Sequence, residues 1–165
     1  MSENTGVTGE SQLVVFDLNE EAYGVDISAV REIIRMQETT RVPRAPEFIE
    51  GVINLRGKVI PVVDLRSRFS MPATERTDEH RICVVDVEGQ DIGMVVDAVT
   101  EVSRIPTTSI EPPSSVITTN DSEYLTGIVK TDEKLIILLD IAKVISDTEQ
   151  TELEEVKQSP DALAA

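Results

Sequence analysis

The stretch Leu13-Val-Val-Phe-Asp-Leu-Asn-Glu-Glu-Ala-Tyr-Gly-Val-Asp-Ile-Ser-Ala-Val-Arg-Glu-Ile33 returns at an offset of 69 as Ile82-Cys-Val-Val-Asp-Val-Glu-Gly-Gln-Asp-Ile-Gly-Met-Val-Val-Asp-Ala-Val-Thr-Glu-Val102. Val15/Val84, Asp17/Asp86, Gly24/Gly93, Ala29/Ala98, Val30/Val99 and Glu32/Glu101 are identical, and most other pairs keep their polarity. Internal repetition constrains architecture more than any single motif does, because each copy must fold by the same rules. Within each copy, two short apolar runs bracket a polar turn, Asn19-Glu20-Glu21 in the first and Glu88-Gly89-Gln90 in the second. That pattern is a β-hairpin signal.

A second block repeats in the same order. Phe48-Ile-Glu-Gly-Val-Ile-Asn-Leu-Arg-Gly-Lys-Val-Ile-Pro-Val-Val-Asp-Leu65 lies over Tyr124-Leu-Thr-Gly-Ile-Val-Lys-Thr-Asp-Glu-Lys-Leu-Ile-Ile-Leu-Leu-Asp-Ile141 at an offset of 76, with Gly51/Gly127, Lys58/Lys134 and Asp64/Asp140 matched. The offset grows because the second half carries a longer connector over 103–123. Two matched blocks in one order make the chain a duplication. Hairpins are expected at 12–18 with 22–26, 51–55 with 58–63, 82–87 with 91–96, and 124–130 with 134–139. The continuous apolar runs are expected to be buried on both faces. Pro61 has no amide donor and is expected at an edge or a bulge. Short helices are expected at 27–35, where Ile27, Val30, Ile33 and Ile34 share a helical face, and at 64–69 and 140–146. Asp64 and Asp140 stand where helix N-caps belong. The fold is therefore mainly β: two small barrels related by internal duplication, with short helices. The expected organisation is a flexible acidic tail at 1–10, a folded region at 11–147 with subdomains at about 11–70 and 80–147, and an acidic tail at 148–165.

Composition narrows the function. The chain has 165 residues, 40% of them apolar, and a formal net charge of −16. Nucleic acid and anionic membrane surfaces need a basic face, so neither is an expected partner. No apolar run approaches the roughly 20 residues of a membrane span. Lysine is scarce, five against ten arginines. An acidic, lysine-poor surface fits a high-salt cytoplasm, where counterions screen self-repulsion. The sign reverses locally: between residues 31 and 68, eight Arg and Lys face five Asp and Glu, which suggests a basic contact surface. Cys83 and His80 are the only residues of their kinds, and Cys83 lies in an apolar run that suits a small buried hydrophobe. No metal-ligand spacing, phosphate loop or nucleophile motif is present. No catalytic residue, metal or cofactor is expected.

The stretch Gly51-Val52-Ile53-Asn54-Leu55-Arg56-Gly57-Lys58-Val59-Ile60-Pro61-Val62-Val63-Asp64-Leu65-Arg66 resembles the signature of CheW-type chemotaxis coupling proteins. So do Tyr23-Gly24-Val25-Asp26-Ile27 with Val30-Arg31-Glu32-Ile33, and Tyr124-Leu125-Thr126-Gly127. The resemblance covers about residues 11–147. It implies two SH3-like β-barrel subdomains and no enzymatic activity. The implied role is a cytoplasmic scaffold, at receptor arrays on the inner face of the membrane. It would couple the cytoplasmic hairpin of chemoreceptors (methyl-accepting chemotaxis proteins) to the regulatory domain of the histidine kinase CheA. Receptor contact is implied for Val30, Glu32, Asn54, Leu55, Arg56 and Gly57. Val30 also suits a core position, since its repeat mate is valine, and Glu32 could instead pair with Arg35 on a helix surface. A turn needs Gly57 for positive φ but does not need arginine, and the second half has Lys130-Thr131-Asp132-Glu133 there. Kinase contact is implied for Gly51 and Val59, and Ile110 and Val116 in the connector are candidate apolar anchors beside Pro112-Pro113.

Three other readings fit the residues less well. A peptide-binding SH3-like module needs an aromatic-lined groove, yet Phe16, Tyr23, Phe48, Phe69 and Tyr124 are the only aromatics and several fall at core positions. A hydrolase would use Asp64 and Asp140, which capping already explains. A coupling module fused to a receiver domain would need more chain than this.

Overall fold

The computed structural model describes residues 10–43, 48–69, 71–72, 74–112, 125–131 and 135–144. In chain order the elements are β1 (Glu10–Leu18), β2 (Glu21–Asp26), a 3-10 turn (Ile27–Ala29), β3 (Val30–Arg35), β4 (Ile49–Leu55), β5 (Lys58–Asp64), α1 (Leu65–Arg68), β6 (Arg81–Val87), β7 (Gln90–Val96) and β8 (Ala98–Pro106). A second 3-10 turn (Thr107–Ser109), β9 (Ile110–Glu111), β10 (Leu125–Lys130), β11 (Leu135–Leu139) and α2 (Ile141–Val144) follow. The four hairpins stand where the repeat and its turn signals put them. Asn19 and Glu20, Arg56 and Gly57, and Glu88 and Gly89 all have positive φ, the two-residue turn whose twist matches that of paired strands.

The expected helix at 27–35 is instead a single 3-10 turn followed by strand β3. Ile27, Val30, Ile33 and Ile34 fit a helical stripe, but all four are β-branched, which suits a pleated surface, and three of them lie in Val30–Arg35. Pairing with β6 decides the outcome.

The strands form two sheets, β8-β1-β2-β11-β10-β9 and β3-β6-β7-β5-β4. The repeat maps one order onto the other: β1-β2 onto β6-β7, β3 onto β8, β4-β5 onto β10-β11. Both sheets contain one parallel contact, β2 with β11 and β7 with β5. Each sheet therefore draws strands from both sequence halves, and the sheets do not coincide with segments 11–70 and 80–147. The outer strands of the first sheet, β8 and β9, are joined by one 3-10 turn, so the sheet curls back on itself.

The bulges repeat as well. Arg31 is the extra residue of β3 between Val30 and Glu32, opposite β6, and its mate Thr100 is the extra residue of β8 opposite β1. Gly51 and Gly127 mark a second pair of irregularities. At both, another segment crosses close by: a Cβ on Gly51 would lie 2.5 Å from the Thr40 carbonyl oxygen, and one on Gly127 would lie 2.7 Å from Ile110 Cγ2.

Pro61 is not on an edge, since β5 lies between β7 and β4. Its partner Val52 exchanges both backbone hydrogen bonds with Thr40, and the parallel pairing with β7 begins only at Val62. The missing amide thus falls where no ladder bond is needed.

Strands β1 and β6 are buried on both faces, while β11 begins with the exposed Leu135. On β1, Val14, Phe16 and Leu18 join a large cluster shared by the two sheets, while Leu13 and Val15 face the first sheet's own cluster with Ile136 and Leu138. On β6, Cys83, Val85 and Val87 enter the shared cluster, while Ile82 and Val84 face the second sheet's own cluster with Ile53 and Ile60. Cys83 is a buried hydrophobe, its thiol pushed up to about 12 by burial. Asp64 accepts from Arg66 N at 3.1 Å and Asp140 from Ala142 N at 3.0 Å, so both are the helix caps expected of them.

Candidate functional site

The turn between β4 and β5 carries Asn54, Leu55, Arg56 and Gly57 to one end of the second sheet. Asn54 Oδ1 accepts from Gly57 N at 2.9 Å, which closes the turn. Leu55 packs on the sheet's own apolar cluster. Arg56 has φ 53°. For a residue with a Cβ, the left-handed region costs roughly 1 kcal/mol or more. Gly57 is therefore not the only turn residue at positive φ, since Arg56 shares that burden. The Arg56 side chain is 70% exposed, and its Nη2 donates to Glu32 Oε2. An ion pair this exposed contributes about 0–1 kcal/mol to folding, so it does not offset the backbone cost by a wide margin.

Glu32 lies on β3, so its partner is Arg56 and not Arg35 on a helix surface. Val30, on the same strand but before the bulge, is half-buried against the shared core. Strand β3 and the Asn54–Gly57 turn thus bring the receptor-contact candidates Glu32 and Arg56 together. Val30 is held nearby, with its side chain largely committed to packing.

Next to this pair lies a charge network that the sequence reading missed. Asp91, at the start of β7, accepts from Arg31 Nε at 2.5 Å and from Lys58 Nζ at 2.9 Å. Arg31 also stands 3.5 Å from Asp86, which is opposite Asp91 across β6 and β7. Burial pushes the Asp91 carboxyl up, but hydrogen bonds from Lys58 and Arg31, reinforced by their charges, outweigh it and hold the group below its ordinary value. Three of the eight bases in the basic stretch 31–68 are paired with acids that follow that segment: Asp91 takes Arg31 and Lys58, and Asp97 takes Arg66. The signal for the network was in the repeat: Arg31 and Asp91 face Thr100 and Ala22 as mates, so each is charged in one copy only.

The far end of the second sheet holds a different cluster. Asp97 receives Arg66 through two bonds, Nε at 2.9 Å and Nη2 at 2.7 Å, and Asn19 N at 2.9 Å. Desolvation raises the Asp97 carboxyl, but the Arg66 and Asn19 hydrogen bonds and the Arg66 charge bring it below its ordinary value. His80, almost wholly buried, accepts from Thr77 N through Nδ1 at 2.9 Å and sets Nε2 3.6 Å from Asp97.

The kinase-contact candidates are scattered. Gly51 is buried beneath Thr40. Val59 is half-buried against the shared core. Ile110 packs on the first sheet's cluster and lines a groove of about 460 Å³ with Leu13, Leu138 and Ile141. Val116 lies outside the described residues. Phe16 and Tyr23 are buried in an edge-to-face series with Phe69. Among the described residues no group of three or more His, Cys, Asp or Glu could hold a metal ion, and no helix is long and apolar enough to cross a membrane.

Comparison with known proteins agrees with this architecture. The chain is 34% identical over 159 residues to the chemotaxis protein CheW of Klebsiella aerogenes, covering 96% of each chain. It is 36% identical over 146 residues to the chemotaxis protein CheW of Treponema pallidum, covering 86% of each. Among solved structures, the scaffolding protein TtCheW of Thermoanaerobacter tengcongensis matches with a TM-score of 0.79 at 44% identity, over 86% of this chain and 96% of that one. The family described as the CheW-like domain matches residues 12–149. A duplicated, mainly β chain with two sheets and an Asn-Leu-Arg-Gly turn at one sheet end is accordingly a member of the CheW-like domain family.

Proposed function

We propose that this chain is a non-catalytic chemotaxis scaffold that joins the cytoplasmic hairpin of chemoreceptors to the regulatory domain of the histidine kinase CheA, working in the cytoplasm at receptor arrays. Relatives over nearly the whole chain are chemotaxis proteins, and the similar solved structure is a scaffolding protein. The observation that carries the receptor assignment is Arg56. It occupies a backbone conformation that glycine or asparagine would hold at less cost, its side chain is mostly exposed, and its ion pair adds little stability. A guanidinium kept there presents a planar fork suited to a carboxylate or backbone carbonyls of a helical hairpin. Val30, Glu32, Asn54, Leu55 and Gly57 complete the receptor surface, Asn54 and Gly57 by fixing the turn. The kinase surface falls on Val59 and on the segment from Ile110 to Val116, with Gly51 acting through the approach of Thr40. Such a scaffold shifts the kinase between states by contacting them unequally.

The test is a reconstitution of receptor-bearing membranes and kinase with and without this protein, reading receptor-bound kinase and its autophosphorylation. Wild type should recruit and activate the kinase. Arg56→Asp should lose recruitment by tenfold or more, about 1.4 kcal/mol, while keeping its melting temperature. A variant that recruits as wild type does removes Arg56 from the contact.

A further inference from the structure

The two copies of the repeat provide an internal comparison. Both build a bulge at the same place, and Arg31 and Thr100 are the extra residues. Thr100 uses its hydroxyl to bond the Val15 carbonyl at 3.1 Å, a local job. Arg31 instead reaches Asp86 and Asp91. The mate of Asp91 is Ala22, buried in the first sheet's cluster. The fold therefore requires neither the arginine nor the aspartate. Asp91 also stands directly opposite Asp86 on the neighbouring strand, an arrangement that like charges destabilise and that Arg31, which reaches both, offsets.

What the second sheet has and the first does not is the Glu32–Arg56 pair. Asp91 holds a neighbour of each of its members. One carboxylate oxygen holds Arg31, the residue before Glu32. The other holds Lys58, which is opposite Leu55 across the turn containing Arg56. Asp91, Arg31 and Lys58 thus form one ion-pair group at the sheet end, joined to the separate Glu32–Arg56 pair through the backbone of β3 and of the turn. Asp91 is its least exposed member, with a side chain 11% exposed against 52% for Arg31 and 55% for Lys58. A charge on so rigid an element fixes the two long cations more than they fix it.

We propose that Asp91 is a positioning residue of the receptor contact: it holds β3 and the Asn54–Gly57 turn in the one relation that lets Glu32 orient Arg56 toward the receptor. This rests on the receptor reading of Arg56. The experiment uses the full chain with a receptor cytoplasmic fragment and, separately, the kinase regulatory domain. Asp91→Asn keeps the size and polarity of the side chain and removes its charge. It should weaken receptor binding about fivefold or more, leave kinase-domain binding unchanged, and speed amide hydrogen exchange at Leu55, Arg56 and Gly57. Asp91→Glu should restore most of the receptor affinity. If Asp91→Asn binds the receptor as wild type does while Arg56→Asp fails, the positioning role is overturned and the receptor reading stands. If Arg56→Asp binds normally, the receptor reading itself falls. If Asp91→Asn loses kinase binding to the same degree, its role is general stability and the proposal is wrong.

Discussion

Gly51 shows how much one residue can decide. A Cβ there would lie 2.5 Å from a backbone oxygen, which has little freedom to move, and its φ of 153° disfavours a side chain as well. Gly51→Ala is expected to lower stability by roughly 2–4 kcal/mol, from backbone strain and the displaced Thr40 bridge, with urea unfolding as the measurement. The same substitution at Gly57, where nothing lies within 4 Å, should cost only the positive-φ penalty, about 1 kcal/mol. Arg56 was legible in the sequence because the second copy lacks it. Its partner was not, because the sequence pattern around Glu32 fits a helix that faces it toward Arg35, away from the turn.

The misread element was β3. Its apolar residues satisfy both periods, and short runs of that kind are settled by what they pair with, not by their own preference. The hairpins were legible because turn chemistry and alternation agreed. The half-buried acids were not, since a sequence does not show which carboxylate meets which arginine. Asp97 illustrates an element-level consequence, joining α1 through Arg66 to the β1–β2 turn through Asn19. Its carboxyl lies below the ordinary 3.8. A group depressed in this way contributes stability that is complete above the unfolded value and disappears as pH falls through the folded one. Asp97→Asn is therefore expected to destabilise by about 2–3 kcal/mol at neutral pH, leaving Arg66 poorly matched. The gap between the melting temperatures of wild type and variant should narrow below about pH 4. A gap that stays constant down to pH 2 would show that the charge contributes nothing.

At the scale of the whole molecule, the strands are interleaved. The hairpin β1-β2 pairs with β8 and β11, and β6-β7 pairs with β3 and β5. A large cluster joins the two sheets. The chain is expected to unfold in one calorimetric transition, with neither segment 1–75 nor segment 76–165 folding alone, since each would leave every parallel contact unmade. Two transitions, or a folded fragment seen by NMR, would contradict this. The duplication was legible, but the exchange of strands between copies was not, because a repeat gives the parts without saying which copy they pair with.

That exchange has a consequence for symmetry. A single unit of this design, standing by itself, could complete neither sheet. It would find its missing strands only in a twin, each lending the other its hairpin about a two-fold axis. The present chain is such a pair of twins tied end to end, and the tie frees the two from remaining alike. The backbone keeps the axis down to its bulges and helix caps, while the side chains have abandoned it at one sheet end, where Arg31, Asp91 and Arg56 have no counterparts. A molecule built this way can offer different faces to different neighbours at one moment, which a true twin pair, obliged to present every face twice, cannot do.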